Sequence, residues 1–253
     1  MGYFYLYDNF LQDRAYATQL IRLENILTDL SLQGRVGRLS LLKSIRDLIS
    51  GAVRDGASTL VAVGNDDTLS RLIEVAADFK KITVGFIPLG TKNQTLAKLL
   101  GIPLGILACQ TLSNRLIQTI DLGKINGQFW WQKIEGVGEF KITIDQKSQI
   151  TLTGKQNIVI GNFGDLILND NNFLFNPQDN LLEIIASYQS TKKWWKKSAT
   201  NSLSILPAKN LKLTALGDNI LLKVDSFKTV KTPAIIAIAP EKIRLIVGKK
   251  RIF

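Results

Sequence analysis

Two short polar segments carry residue types suited to phosphate chemistry. Gly64-Asn65-Asp66-Asp67-Thr68 follows the apolar, β-branched run Thr59-Leu-Val-Ala-Val63, and Pro88-Leu89-Gly90-Thr91-Lys92-Asn93 follows Ile82-Thr-Val-Gly-Phe-Ile87. Each is succeeded by a helical pattern, Leu69, Leu72, Ile73, Ala76 and Phe79 after the first and Thr95 to Leu100 after the second. A turn between the carboxyl end of a buried strand and the start of a helix gathers free N–H groups and the positive end of the helix dipole, so it suits an anion. Two such turns facing each other can hold a nucleotide. Two ordinary βα turns with Asx-type capping fit the same pattern.

The chemistry available elsewhere is narrow, because the chain has no His and a single Cys, Cys109. A Ser-His-Asp triad, a Cys-His dyad, a His-ligated zinc, a Cys cluster and an internal disulfide are all excluded. Carboxylate, Lys/Arg, hydroxyl and backbone groups remain, a set that suits phosphate handling with a hard cation such as Mg²⁺. Cys109, in Gly105-Ile-Leu-Ala-Cys-Gln, reads as a small core residue. The formal charge of +11 attracts polyanions. A third segment, Thr191-Lys192-Lys193-Trp194-Trp195-Lys196-Lys197, sets two Trp among four Lys. It suits an anionic bilayer surface, or else a solvated loop whose Trp pair packs inward. Single-stranded nucleic acid would accept the same residue types, but nothing else in the chain points to it.

The elements that must position these residues alternate. Tyr3–Tyr7 reads as a strand, and Leu11, Ala15, Leu20, Leu23, Ile26, Leu27 and Leu30 recur at helical spacing up to a stop at Gly34. Ser40 is placed as the N-cap of a second helix running through Leu41, Leu42, Ile45, Leu48, Ile49, Ala52 and Val53. Repeated strand-loop-helix units predict a Rossmann-like α/β domain over residues 1–122 with a mostly parallel sheet. From about Gly123 the pattern changes to short strands: Glu139–Ile144, Gln149–Thr153, Asn157–Ile160, Leu181–Ile185, Asn210–Thr214, Asn219–Val224, Ala234–Ile238 and Ile243–Val247. A second, β-rich domain of β-sandwich type is expected over 123–253. The 45% hydrophobic content is enough for real cores. No apolar run approaches the ~18 residues of a membrane span, and the first residues lack a signal-peptide pattern. A cytoplasmic protein is expected, with the inner membrane face as a peripheral docking place and a homodimer left open.

The segment from Thr59 to Pro103 resembles the catalytic domain of diacylglycerol kinases and their relatives, the sphingosine and ceramide kinases. That family carries Gly-Gly-Asp-Gly-Thr after a hydrophobic strand, then Pro-x-Gly-Thr-x-Asn-Asp and a Leu-Gly-Ile-Pro tail. Gly64, Asp66, Thr68, Pro88, Gly90, Thr91, Asn93 and Leu100-Gly101-Ile102-Pro103 match in order and spacing. Ile120–Gly127 resembles the family's strand into its second domain, and Val224-Asp225, Thr232-Pro233 and Ala239-Pro240 resemble its C-terminal part. The resemblance implies ATP between the two loops, Mg²⁺ assisting transfer, and a lipid hydroxyl as acceptor. It places Gly64, Asn65, Asp66, Asp67, Thr68, Gly90, Thr91, Lys92 and Asn93 at the nucleotide, with Asp66 as catalytic residue. Asn176–Leu182 resembles a loop whose Asp supports a metal, which makes Asp179 the metal candidate; a turn residue before a strand is the other reading of it.

The sequence departs from that family where the chemistry is concentrated. Two of the loop's glycines are Asn65 and Asp67, Ser70-Arg71 replaces Asn-Glu, and Gln94 replaces the Asp after Asn93. A carboxylate ~4 Å from a phosphate charge is opposed by about 4 kcal/mol at an effective dielectric of 20, unless a metal bridges them or Lys92 offsets it. The family's Asp-Gly-Glu, whose Glu accepts the acceptor's proton in some members, reads Asp225-Ser226-Phe227, and Phe is no base. The family's Asn-Pro-rich phosphate loop is absent, with Tyr7-Asp8-Asn9-Phe10 ending the first strand. The leading expectation is ATP-dependent phosphotransfer to a lipid hydroxyl. The alternative is a catalytically impaired pseudokinase that binds nucleotide or lipid, and a third is an NAD-kinase-like enzyme sharing the Gly-Gly-Asp-Gly loop.

Overall fold

The alternation of apolar runs and helical periods resolves into two units, Met1–Ile120 with Glu241–Phe253, and Asp121–Pro240. The computed structural model describes residues 2–40, 44–90, 94–168, 171–188 and 204–253.

The first unit contains β1 (Gly2–Tyr7), α1 (Ala17–Asp29), β2 (Gly34–Arg38), α2 (Ile45–Arg54), β3 (Ala57–Gly64), α3 (Asp66–Ala76), β4 (Thr83–Pro88), α4 (Thr95–Leu99) and α5 (Ala108–Asn114). Its strands are parallel in the order β2-β1-β3-β4. Leu60, Val61, Ala62 and Val63 are all fully buried, as a continuous apolar run in the middle of a helix-covered sheet requires. Each Leu or Val among them contributes roughly 1.5–3 kcal/mol on leaving water, and the Ala62 methyl less. α3 buries Leu69, Leu72, Ile73 and Ala76, the stripe predicted by the helical spacing. Cys109 is buried in α5, as expected for a small core residue.

Three expectations are corrected. β2 is a strand where the sequence offers only a helix stop; it lies at the sheet edge with only Gly37 buried, so it lacks an apolar alternation to betray it. α2 takes Ser44 rather than Ser40 as N-cap, the Ser44 hydroxyl accepting from the Arg46 amide at 3.2 Å. Glu241–Phe253, assigned by pattern to the β-rich domain, belongs to the first unit, where Arg244 and Leu245 pair in parallel with Thr83 and Val84 of β4.

The second unit begins within β5 (Ile117–Ile125), from Asp121 onward. β5 turns at Asn126-Gly127, both at positive φ, into β6 (Gln128–Trp130). Then come β7 (Lys133–Ile144), β8 (Ser148–Gly161), β9 (Asp165–Leu168), β10 (Asn171–Leu174), β11 (Leu182–Tyr188), β12 (Ser204–Ala208), β13 (Asn210–Ala215), β14 (Leu221–Val224), β15 (Lys228–Lys231) and β16 (Ala234–Ile246). The order β12-β11-β8-β7-β13-β16 is antiparallel throughout, and β14 pairs with β7 and β15. Trp130, Phe140, Ile142, Ile158, Ile160 and Leu182 are among the residues that form its core.

Two pairs of expected strands are single long ones. Gln149–Thr153 and Asn157–Ile160 fuse in β8, carried past the exposed Gly154-Lys155 by pairing with β7. Ala234–Ile238 and Ile243–Val247 fuse in β16, where Pro240 falls between the residues paired with β13 and those paired with β4, so its missing N–H breaks neither ladder. Among the described residues no helix is long and apolar enough to cross a membrane.

Candidate functional site

In a parallel sheet of order β2-β1-β3-β4 the strand order reverses between β1 and β3, and ligands of open α/β sheets gather at the carboxyl ends there. The residues just past those ends are Asp8 and the turn Gly64 to Thr68. Backbone bonds stitch the exits together: Asp8 N–H donates to Val63 O at 2.9 Å and Leu89 N–H to Gly64 O at 2.8 Å. Position 64 requires glycine, because a Cβ there would stand 2.4 Å from Thr68 Oγ1 and 2.9 Å from Asp8 Cβ. Gly64 thereby brings the first turn of α3 down onto the end of β1.

The helix start is closed by its own side chains. Asn65 is the N-cap of α3: its Oδ1 accepts from the Thr68 amide at 3.1 Å, and Thr68 Oγ1 accepts from the Asn65 amide at 3.1 Å. The buried Thr68 hydroxyl in turn donates to Asp8 Oδ2 at 2.5 Å. A side-chain oxygen therefore occupies an amide that a phosphate would use, and a carboxylate occupies the hydroxyl beside it.

Asp66 ties the two loops together. Its Oδ2 accepts from the Leu96 amide in α4 at 3.1 Å, while its buried Oδ1 has no partner among the described residues. Burial pushes its carboxyl up to about 6, against the pull of the Leu96 and Thr95 amides, and the neighbouring Asp67 adds to the rise. Asp67 is half-buried in the same first turn. Gly90 has φ 116°, its carbonyl accepts from Gln94 Nε2 at 2.8 Å, and the Phe10 ring stands 3.1 Å from where a Cβ would be. Thr91, Lys92 and Asn93 lie outside the described residues, as do Lys192, Lys193, Trp194, Trp195, Lys196 and Lys197.

In the second unit, Asp179 is exposed and its Oδ1 accepts from the Leu181 amide at 3.0 Å, the geometry of a turn residue ahead of a strand. Its charge adds to the burial that pushes the Glu183 carboxyl up to about 7. Among the described residues no three Asp, Glu or Cys side chains gather as a metal site. Asp225 is almost fully buried and its carboxylate accepts from the amides of Trp131 at 2.9 Å, Gln132 at 2.8 Å and Lys133 at 3.2 Å. Burial pushes it up to about 6, although those amides and the Lys228 charge pull it down. It holds the connection from β6 to β7, two residues ahead of Phe227.

Gly64 to Thr68 and Gly90, expected from the sequence at a nucleotide, are thus brought to neighbouring strand ends. Sequence reasoning noted Asp8 at the end of the first strand but gave it no role. The available signal was its position directly after β1, at the reversal of strand order.

Known proteins resemble part of the sequence and the whole of the fold. Residues 13–125 match the family described as the diacylglycerol kinase catalytic domain. A probable lipid kinase YegS-like of Pseudomonas aeruginosa is 32% identical over 106 residues, 42% of this chain and 35% of that protein. The diacylglycerol kinase of Bacillus subtilis is 32% identical over 100 residues, 38% of this chain and 33% of that protein. The matched segment therefore spans about a third of the curated relatives' length. Among solved structures, a diacylglycerol kinase from Bacillus anthracis superposes with a TM-score of 0.77 at 17% identity, covering 99% of this chain and 98% of that one. An NAD kinase from Archaeoglobus fulgidus in complex with ATP gives 0.63 at 12% identity, covering 99% and 95%. At these identities the likeness is one of fold.

Proposed function

We infer that this chain, a divergent member of the diacylglycerol kinase catalytic-domain family, keeps the lipid-kinase scaffold while its phosphoryl-transfer chemistry is impaired, and that it serves as a nucleotide- or lipid-binding module. The observation that carries this reading is the closed cap at the start of α3. Asn65 Oδ1 holds the Thr68 amide, Asp8 holds the Thr68 hydroxyl, and Asp66 and Asp67 add two carboxylates to the same turn. An ATP phosphate arriving there must displace an acceptor already in place and approach three acidic side chains. The proton acceptor implied by the resemblance is also replaced, since Phe227 carries no titratable group.

A second reading, slow ATP-dependent transfer to a diacylglycerol-like hydroxyl, is favoured by the places that Asp66, Gly64 and Gly90 keep at the strand ends, with the Asp66 carboxyl pushed up to about 6 by burial and one of its oxygens without a partner among the described residues. In that reading Gly64 to Thr68 and Gly90 to Asn93 surround the nucleotide, and Lys92 offsets part of the acidic charge. Mg²⁺ held mainly by the phosphates would neutralise charge on the transferring group. The excess of positive charge, with Lys192, Lys193, Lys196 and Lys197 around Trp194 and Trp195, suits contact with an anionic membrane surface under either reading.

The purified protein incubated with ATP, Mg²⁺ and diacylglycerol-containing vesicles should give no phosphotransfer above the protein-free background. Robust turnover by the wild type would replace the first reading with the second.

A further inference from the structure

Three cationic groups of the first unit line a cleft that shares no residue with the acidic turn. A cleft of about 650 Å³ is lined by Pro103, Thr111, Asn114, Arg115, Lys249 and Lys250 among others, and no Asp or Glu is among the described residues that line it. The walls are fixed by backbone. Val247 N–H donates to Leu116 O at 2.8 Å, Gly248 N–H to Leu100 O at 2.9 Å, and Ile252 N–H to Leu99 O at 2.9 Å. Gly248 lies so close to Gly101 that a Cβ on it would stand 1.7 Å from the Gly101 carbonyl oxygen. These contacts hold the turn Lys249-Lys250 against the ends of α4 and α5, so both ammonium groups extend from a fixed base.

Arg115 lines the same cleft. It closes α5 in the left-handed conformation at φ 49°, a position glycine fills at lower cost. Its side chain is half-buried and oriented by neutral groups only: Nη1 donates to Tyr3 OH and Thr59 Oγ1, and Nη2 to Thr59 Oγ1, each at 3.2 Å. Its guanidinium also lies 5.9 Å from the centre of the Tyr3 ring. Three bonds to hydroxyls use part of a five-donor fork, and among the described residues no carboxylate pairs with Arg115. The adjoining Arg251 keeps a buried Nε that has no acceptor among the described residues. Elsewhere in this unit arginines do meet carboxylates, as in Arg35 with Asp55 and Arg46 with Asp78.

We propose that this cleft is an anion site for a phosphate group, held by Arg115, Lys249 and Lys250 with Thr111 and Asn114 as neutral donors. The group can belong to free phosphate or to the headgroup of an anionic lipid, whose first carbons would meet Pro103 and the part-exposed Leu116. The site is separate from the turn after β3 and stands whether or not that turn binds ATP.

Two-dimensional amide NMR of the full chain, titrated with inorganic phosphate and separately with soluble dihexanoyl phosphatidic acid, tests it. Saturable shifts are expected at the Gly101, Arg115, Leu116 and Gly248 amides. Lys249→Gln/Lys250→Gln, at exposed positions that leave the fold intact, should weaken the affinity about 25-fold, taking about fivefold per lysine. Arg115→Gln should weaken it further, and a charge-matched Lys147→Gln/Lys155→Gln control should bind as the wild type does. Tighter binding of the lipid than of phosphate assigns the site to headgroups, and equal binding assigns it to the free anion. Absence of saturable shifts with both probes, or equal weakening in the control, overturns the proposal.

Discussion

The turn after β3 and the cleft beside α5 invert the expected distribution of charge. The turn stands at the reversal of strand order and carries the phosphate-loop resemblance, yet it gathers Asp8, Asp66 and Asp67 and caps its own helix. The cleft takes only Gly101 and Pro103 from the resemblance, yet it gathers Arg115, Lys249 and Lys250 with no acidic lining residue among those described. A loop's place in the sheet, and its spacing in sequence, are set by the fold. Whether it binds a phosphate is set by which amides are left open and what charge surrounds them. On the proposed reading those two properties separate in this chain.

The most severe way to break the turn is Gly64→Ala. The added Cβ collides with Thr68 Oγ1 and Asp8 Cβ, both held by hydrogen bonds, so a loss of about 3 kcal/mol is expected in chemical denaturation. Thr68→Val keeps the shape but removes the hydroxyl that bridges Asn65 and Asp8, leaving the Asp8 carboxylate without that donor. A loss of about 2 kcal/mol is expected, with Thr68→Ser recovering most of it.

Asp66 gives a signature that depends on pH. Its carboxyl titrates near 6 in the folded chain and near 3.8 unfolded, so the native state binds the proton more tightly. Stability from this group is full below pH 3.8 and is lost as pH rises to 6. Asp66→Asn should flatten that part of the fall in unfolding free energy between pH 4 and 6. Asp225, raised in the same direction, should keep its own share. A profile identical to wild type would mean that Asp66 is not buried as described.

Much of the scaffold was legible because its signals are local. The apolar run Thr59 to Val63 announced a central strand, and the spacing of Leu69, Leu72, Ile73 and Ala76 announced the helix after it. β2 was not legible, because an edge strand of Gly, Arg and Val needs no apolar face, and β16 was divided by a proline that the ladder tolerates. At the candidate site, Asn65 and Asp67 were recognisable as departures from the loop pattern. The partner that closes it, Asp8, stands 60 residues away from Thr68 and meets it only through strand order. The cleft was invisible for the same reason: Arg115 and Lys249-Lys250 are brought together by backbone pairing between distant segments.

The impaired-turn account is tested most directly by calorimetric titration of ATP with Mg²⁺ into the wild type and into Asn65→Gly/Asp67→Gly, which reopens the Thr68 amide and removes one carboxylate at a capping cost of a few tenths of a kcal/mol. The account predicts weak or undetectable binding by the wild type and affinity at least about tenfold tighter in the variant. Tight ATP binding by the wild type, unchanged or weakened in the variant, would contradict it.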